Sequence, residues 1–130
     1  MKKLTTAEKM SEVYWQSVEA APTISQLNPE IAGVRIRAIP MLHGKVFEEF
    51  GIDTTFCPDH KYRYRVKCPN GDCDSGYIEL SDEIWSAVKS GKVVEGRKGC
   101  SGHSKKYAHN RSSMYNCEAY VEYRIEPVRK

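Results

Sequence analysis

No run of apolar residues in this 130-residue chain approaches the ~18 that a membrane-spanning helix requires. The opening residues, Met1-Lys2-Lys3-Leu4-Thr5-Thr6, also lack the apolar stretch of a secretory signal. These absences lead to the expectation of a protein that begins at Met1, stays in the cytoplasm and has no membrane partner. Cysteine occurs five times, an odd number. In a reducing compartment thiols stay thiols, so the set reads as metal ligands with one cysteine over rather than as a disulfide framework. The motifs of common catalysts are missing too. No His-x-Glu stands before a Pro-Cys-x-x-Cys, which excludes a zinc deaminase. The zincin His-Glu-x-x-His, the P-loop, the dinucleotide fingerprint and the Gly-x-Ser-x-Gly elbow are absent. Asp59-His60 and His109-Asn110 bear a passing likeness to nucleases of the His-Asn-His type but lack that motif's spacing. Cys57 and His60 stand too close in one turn to form an oriented nucleophile and base. The expectation is a non-enzyme, needing no small-molecule cofactor beyond a metal.

What is present is unevenly distributed. The net charge is +3, yet residues 1–59 carry six Lys/Arg against eight Asp/Glu, and residues 60–130 carry fourteen against nine. The basic excess therefore lies with most of the cysteines, and a division into parts 1–59 and 60–130, sharing one compact unit or not, follows. In the first part, Thr5-Thr6-Ala7-Glu8 has the form of a capping box, and Ala7, Met10, Tyr14, Val18 and Ala21 recur at helical spacing. A loop is expected from Ala21 to Pro29, then a strand in which Val34, Ile36 and Ala38 alternate with Arg35 and Arg37 until Pro40 closes it. A short helix through Leu42, Val46, Phe47 and Phe50 would end at Gly51 in a left-handed conformation. His43 reads as a surface or capping residue.

In the second part, Tyr62, Tyr64, Val66 and Cys68 alternate with Lys61, Arg63, Arg65 and Lys67, a strand that leads into the turn Pro69-Asn70-Gly71-Asp72. Tyr77 to Leu80 can return antiparallel. Ser81 is the expected N-cap of a helix through Ile84, Ala87 and Val88, with Gly91 as its stop. Lys92 to Glu95 is a short strand candidate, and Ala119, Val121, Tyr123 and Ile125 form one face of a final strand up to Pro127. If that strand neighbours the first, Glu118, Glu122 and Glu126 pair with the Lys61–Lys67 cations across the sheet. Trp15 and Trp85 read as core edges, either of which could anchor a protein interface.

Zinc prefers thiolate and imidazole in a tetrahedral shell, and a chain builds that shell most easily by giving two ligands from each of two tight turns. Cys68 and Cys73 flank the Pro-Asn-Gly-Asp turn, while Cys100 and Cys117 bound a loop ahead of the final strand. These four are the expected ligands of one structural Zn2+. Two Cys-x2-His pairs leave alternatives open: His103 could replace Cys117, and Cys57 with His60 offers further donors. Cys57 by itself reads as a small buried apolar residue. The order strand, knuckle, strand, second knuckle resembles that of zinc-ribbon proteins, and Cys68-Pro69-Asn70-Gly71-Asp72-Cys73-Asp74-Ser75-Gly76 is similar to a lengthened form of their Cys-Pro-x-Cys-Gly turn. The resemblance spans about residues 61 to 126, extends in general form to small zinc-ribbon proteins of bacterial mobile elements and phages, and implies no specific activity. It departs from the pattern in a first spacing of four and in the sixteen-residue loop that splits the second pair.

That loop is the least ordinary stretch. Arg97, Lys98, Lys105, Lys106 and Arg111 stand with Tyr107, Tyr115, His103 and His109, and no acid occurs from Arg97 to Asn116. Cations attract phosphate and aromatic rings stack on unpaired bases, so Arg97, Lys98, Lys105, Lys106, Tyr107 and Arg111 are the candidate nucleic-acid contacts. A loop kept basic for solubility is the plainer reading. The expectations are an α+β fold, an N-terminal helix plus an antiparallel sheet with a zinc-ribbon-like C-terminal half, acting as a non-catalytic, zinc-stabilised nucleic-acid-binding module. The alternative is a protein-binding adaptor or inhibitor in which zinc is only architectural.

Overall fold

A computed structural model describes the backbone of residues 6–70, 73, 76–101, 103–104 and 115–130, and the side chains of 12–70, 73, 76–101 and 117–130. In chain order the elements are α1 (Thr6–Ala20), α2 (Ile24–Leu27), β1 (Ile31–Leu42), β2 (Lys45–Val46), a 3-10 turn (Glu48–Phe50), β3 (Ile52–Phe56), β4 (Arg65–Lys67), β5 (Tyr77–Glu79), α3 (Ser81–Ser90), β6 (Val94–Gly99), β7 (His103–Ser104), β8 (Tyr115–Asn116) and β9 (Tyr120–Arg129). The fold is α+β, with antiparallel pairing throughout these strands.

The main sheet is built on β1 and β9, which pair from Ile31↔Arg129 to Met41↔Tyr120. On the far side of β1 lie β3 and the short β2, and on the far side of β9 lies β6. The expected division at residue 59 therefore runs through one sheet. Alternation sends Val34, Ile36 and Ala38 of β1 and Val121 and Ile125 of β9 to one face, all almost fully buried. Helix α3 covers this face over β9 and β6, and α2 lies against β1 and α3. Val66, Ile78 and Leu80, on and beside the β4–β5 hairpin, complete the same core with Ile24, Ile84 and Val88.

Several local expectations are corrected. The loop from Ala21 contains α2, capped by Thr23 and Gln26: the Gln26 amide donates to Thr23 Oγ1 at 3.2 Å, and the Thr23 amide to Gln26 Oε1 at 2.8 Å. One turn is too short to show a periodicity. Pro40 does not close β1. Its carbonyl accepts from the Phe47 amide at 2.9 Å, on the side away from β9, and its missing N–H would point the same way. The β1–β9 ladder thus passes Pro40 intact. The helix expected over Leu42–Phe50 is a hairpin instead, turned by His43 and Gly44 at φ 51° and 76°, the two left-handed residues a tight hairpin requires. Only the 3-10 turn is left of that helix, and Gly51 is extended at φ −68°. Gly91 does stop α3, in the left-handed region at φ 66°. Ser81 does not cap it: its hydroxyl sits between Tyr64 and Glu79, accepting from the Tyr64 amide at 3.0 Å and donating to Glu79 at 2.9 Å, and Leu80 takes the cap position.

The other face of the sheet is open and charged, and its charges pair directly or diagonally across neighbouring strands and once along β9. Arg35 forks onto Asp53 at 2.9–3.0 Å, Arg37 meets Glu126, Arg124 reaches Glu126 at 2.6 Å and Glu95 at 2.7 Å, and Arg97 reaches Glu122 at 2.8 Å. The guanidinium groups of Arg124 and Arg37 hold the Glu126 carboxyl below its ordinary range. A carboxylate with a lowered folded-state pKa contributes stability above its unfolded value, near 4.3, and loses it as pH falls through the folded value. Glu126→Gln should therefore lower the melting temperature at neutral pH, and the gap from wild type should close as pH falls below about 4. A gap that stays constant from neutral to acid pH would remove Glu126 from this account.

Candidate metal centre

Three of the four cysteines, Cys68, Cys100 and Cys117, directly follow a strand, and the fourth, Cys73, lies in a turn. Cys68 follows β4, and its amide donates across the hairpin to Gly76 at 2.9 Å. Cys73 closes the turn, its amide donating to Asn70 at 3.1 Å. Gly76, at φ 74°, then brings the chain back into β5. Cys100 follows β6, with its amide bonded to the Ala119 carbonyl at 2.9 Å, so the β6–β9 ladder in effect extends by one step and sets Cys100 beside Cys117.

The four Sγ atoms lie within 4.8 Å of one another. Cys68 and Cys117 are 3.5 Å apart and Cys73 and Cys100 are 3.4 Å apart, too long for a disulfide bond of ~2.05 Å. Metal–sulfur bonds of ~2.3 Å in a tetrahedron put neighbouring sulfurs ~3.8 Å apart, so the spacing fits a four-thiolate cage around one ion. Cys68, Cys100 and Cys117 are buried. Burial, with Cys117 alongside, pushes the Cys68 thiol up, so that sulfur keeps its proton until a cation displaces it. The Asn70 amide nitrogen lies 3.5 Å from Cys117 Sγ and orients that sulfur from outside the cage. Nothing in the sequence pattern singles out Asn70 beyond its place in the turn. With four protein ligands the cage can hold a metal ion, and it leaves that ion no open position for a substrate.

Two other candidate donors, Cys57 and His60, go elsewhere. Cys57 is exposed, against expectation, with its thiol donating to Asp59 at 2.8 Å. The His60 ring stacks on Phe56 at 3.8 Å, and its Nδ1 meets the Lys61 carbonyl. The side chain of His103 lies outside the described residues.

The candidate nucleic-acid contacts divide. Arg97 and Lys98 are on β6 rather than in the loop, with Arg97 paired to Glu122 and Lys98 to Glu83 at 2.7 Å. Lys105, Lys106, Tyr107 and Arg111 lie outside the described residues, between β7 and β8, whose pairing His103↔Asn116 and Ser104↔Tyr115 continues outward from Cys100 and Cys117.

The charged face of residues 61–67 does not meet the last strand. Among the described residues β4 pairs only with β5, so Arg63 turns to Glu79, while Glu118 lies 3.1 Å from His43 and Glu122 and Glu126 are taken by the main sheet. Arg65 lies against the rings of Tyr14 and Tyr77, 3.8 Å from each centroid. Of the two tryptophans, Trp85 meets Tyr62 edge-on at the edge of the core, and Trp15 is 57% exposed. Compared with models of known protein families, with characterised proteins and with solved structures, the chain matches none.

Proposed function

We propose that the four cysteines hold one zinc ion of purely structural use, and that the protein is a non-catalytic binding module whose acid-free segment between Cys100 and Cys117 contacts nucleic acid. The observation that supports this reading is the position of the cage. Two of its four sulfurs bound the basic segment, so one ion would anchor both ends of the loop that carries Lys105, Lys106, Tyr107 and Arg111. All-sulfur coordination suits zinc among the common divalent ions, and a filled shell argues for architecture rather than chemistry. The zinc-ribbon resemblance of residues 61 to 126 agrees with that use. The open face of the sheet is a poorer platform for phosphate, since its four arginines are matched by four carboxylates.

The test replaces Lys105, Lys106 and Arg111 together with Glu and measures binding to single- and double-stranded DNA and RNA across a salt series. Wild type should bind with an affinity that falls steeply with salt, and the variant should lose binding while keeping its metal content and melting temperature, as expected of charges that serve binding rather than folding. Undetectable wild-type binding at low salt would overturn the reading. The adaptor or inhibitor alternative would then lead, with the exposed Val13 and Trp15 of α1 as its contact surface.

A further inference from the structure

The C-terminal half of α1 stands off the β4–β5 hairpin and leaves a cleft of about 510 Å³, lined by Tyr14, Trp15, Lys61, Arg63, Arg65 and Tyr77 among others. That volume falls within the ~300–1,000 Å³ of small-ligand sites. Its chemistry is uneven. Among the described residues three cations line it and no carboxylate does, and Glu79, on the neighbouring strand β5, is engaged by Arg63. Among the described residues Lys61 Nζ donates only to the Ala21 carbonyl, at 2.7 Å, and Arg63 Nε is buried without an acceptor. Arg65 makes no ion pair among the described residues. Its guanidinium carbon lies 3.8 Å from the ring centroids of both Tyr14 and Tyr77, contacts that use its π faces and leave its N–H donors for the in-plane fork that grips an oxyanion. Beside it the exposed Trp15, braced edge-on by Tyr14 at 5.5 Å, offers an indole face to a planar ring.

We propose that this cleft binds a nucleotide, its phosphate on Arg65 with Lys61 and Arg63 near and its base against Trp15. The site is separate from the basic segment between Cys100 and Cys117 and does not depend on that segment's role. Its ligand would be a free mononucleotide or one unpaired nucleotide of a single strand.

The test titrates the full-length, metal-loaded protein with AMP, adenosine and a short oligodeoxyadenylate. Calorimetry reads affinity, and indole fluorescence in a Trp85→Phe background reports on Trp15. AMP or the oligonucleotide should bind saturably and quench Trp15, with adenosine much weaker. Preference for AMP identifies the free nucleotide as the source of the ligand, and preference for the oligonucleotide identifies the strand. Arg65→Gln should weaken AMP binding by about 10- to 100-fold, the value of a charge-assisted contact. Trp15→Ala, at an exposed position that does not endanger folding, should weaken it by about 5- to 100-fold. The variant with Glu at 105, 106 and 111 should bind AMP as wild type does, so failure of the loop reading and failure of this one are distinguishable. No saturable quenching by AMP or the oligonucleotide at millimolar concentration and low salt would overturn the proposal. So would equal affinities for AMP and adenosine, or unchanged affinity in both Arg65→Gln and Trp15→Ala.

Discussion

Stripping the metal with a strong chelator should abolish the cooperative unfolding transition of this protein, and elemental analysis of the untreated protein should find about one zinc per chain. Thiolate-bound zinc contributes ~10–16 kcal/mol to small folds at neutral pH, whereas a domain as a whole is stable by ~5–15 kcal/mol. The centre ties the β4–β5 hairpin to the β6–β9 edge at the point where Cys68, Cys100 and Cys117 are buried. Without a cation these sulfurs have no common ligand to bridge the hairpin and the sheet edge. Cys117→Ser or Cys68→Ser should have nearly the effect of chelation, because a serine hydroxyl is a poor ligand at neutral pH. Cys57→Ser, exposed and outside the cage, should shift stability by no more than about 0.5 kcal/mol. A melting temperature unmoved by the chelator, or near-zero metal in folded protein, would refute the zinc assignment. If Cys117→Ser kept its metal and His103→Ala lost it, the fourth ligand would be His103.

The second large effect concerns the two parts of the chain. Residues 60–130 produced alone, with zinc supplied, should fail to fold. A free-standing zinc ribbon would fold, but here β9 would lose β1 along its whole inner edge. The core would lose Ile24, Ile31, Val34, Ile36 and Phe56, each at most 4% exposed. Burying side chains of this size is worth ~1.5–3 kcal/mol apiece, so the loss is on the order of 10 kcal/mol and exceeds what a chain of this length can spare. The proton NMR spectrum of the fragment should show the narrow amide dispersion of an unfolded chain. A dispersed spectrum and a cooperative thermal transition would show instead that residues 60–130 form an independent domain.

The parts that were legible in the sequence are those set by local chemistry. The α+β class followed from periodicities of 3.6 and 2, and α3 ended at Gly91 because only a left-handed residue stops it there. The four cysteines were recognisable as a set because thiolates are few and sit at turns, and the structure brings those four together. What was not legible is which strand lies beside which. The alternating residues of β1 and β9 look alike whether or not they pair, and the cations of residues 61–67 have a charge-compatible partner on the last strand that the topology denies them. His43-Gly44 is not a strong hairpin dipeptide, so the apolar spacing around it looked helical. Cys57 is exposed because the turn that follows β3 carries its side chain away from the core, which a residue type alone does not disclose.

The pairing of β1 with β9 also sets an order of events during synthesis. β1 leaves the ribosome early and can close locally on β3, but its other edge has to wait until β9 has been made. Through that interval it presents a long, largely apolar strand edge, the kind that pairs with the wrong chain when crowded. The metal cage cannot relieve the wait, since Cys117 is delivered only just ahead of β9. Sheet and cage are both finished by the same late residues, so a nascent chain stalled before Cys117 holds half a sheet and three sulfurs, and has neither closure to protect it.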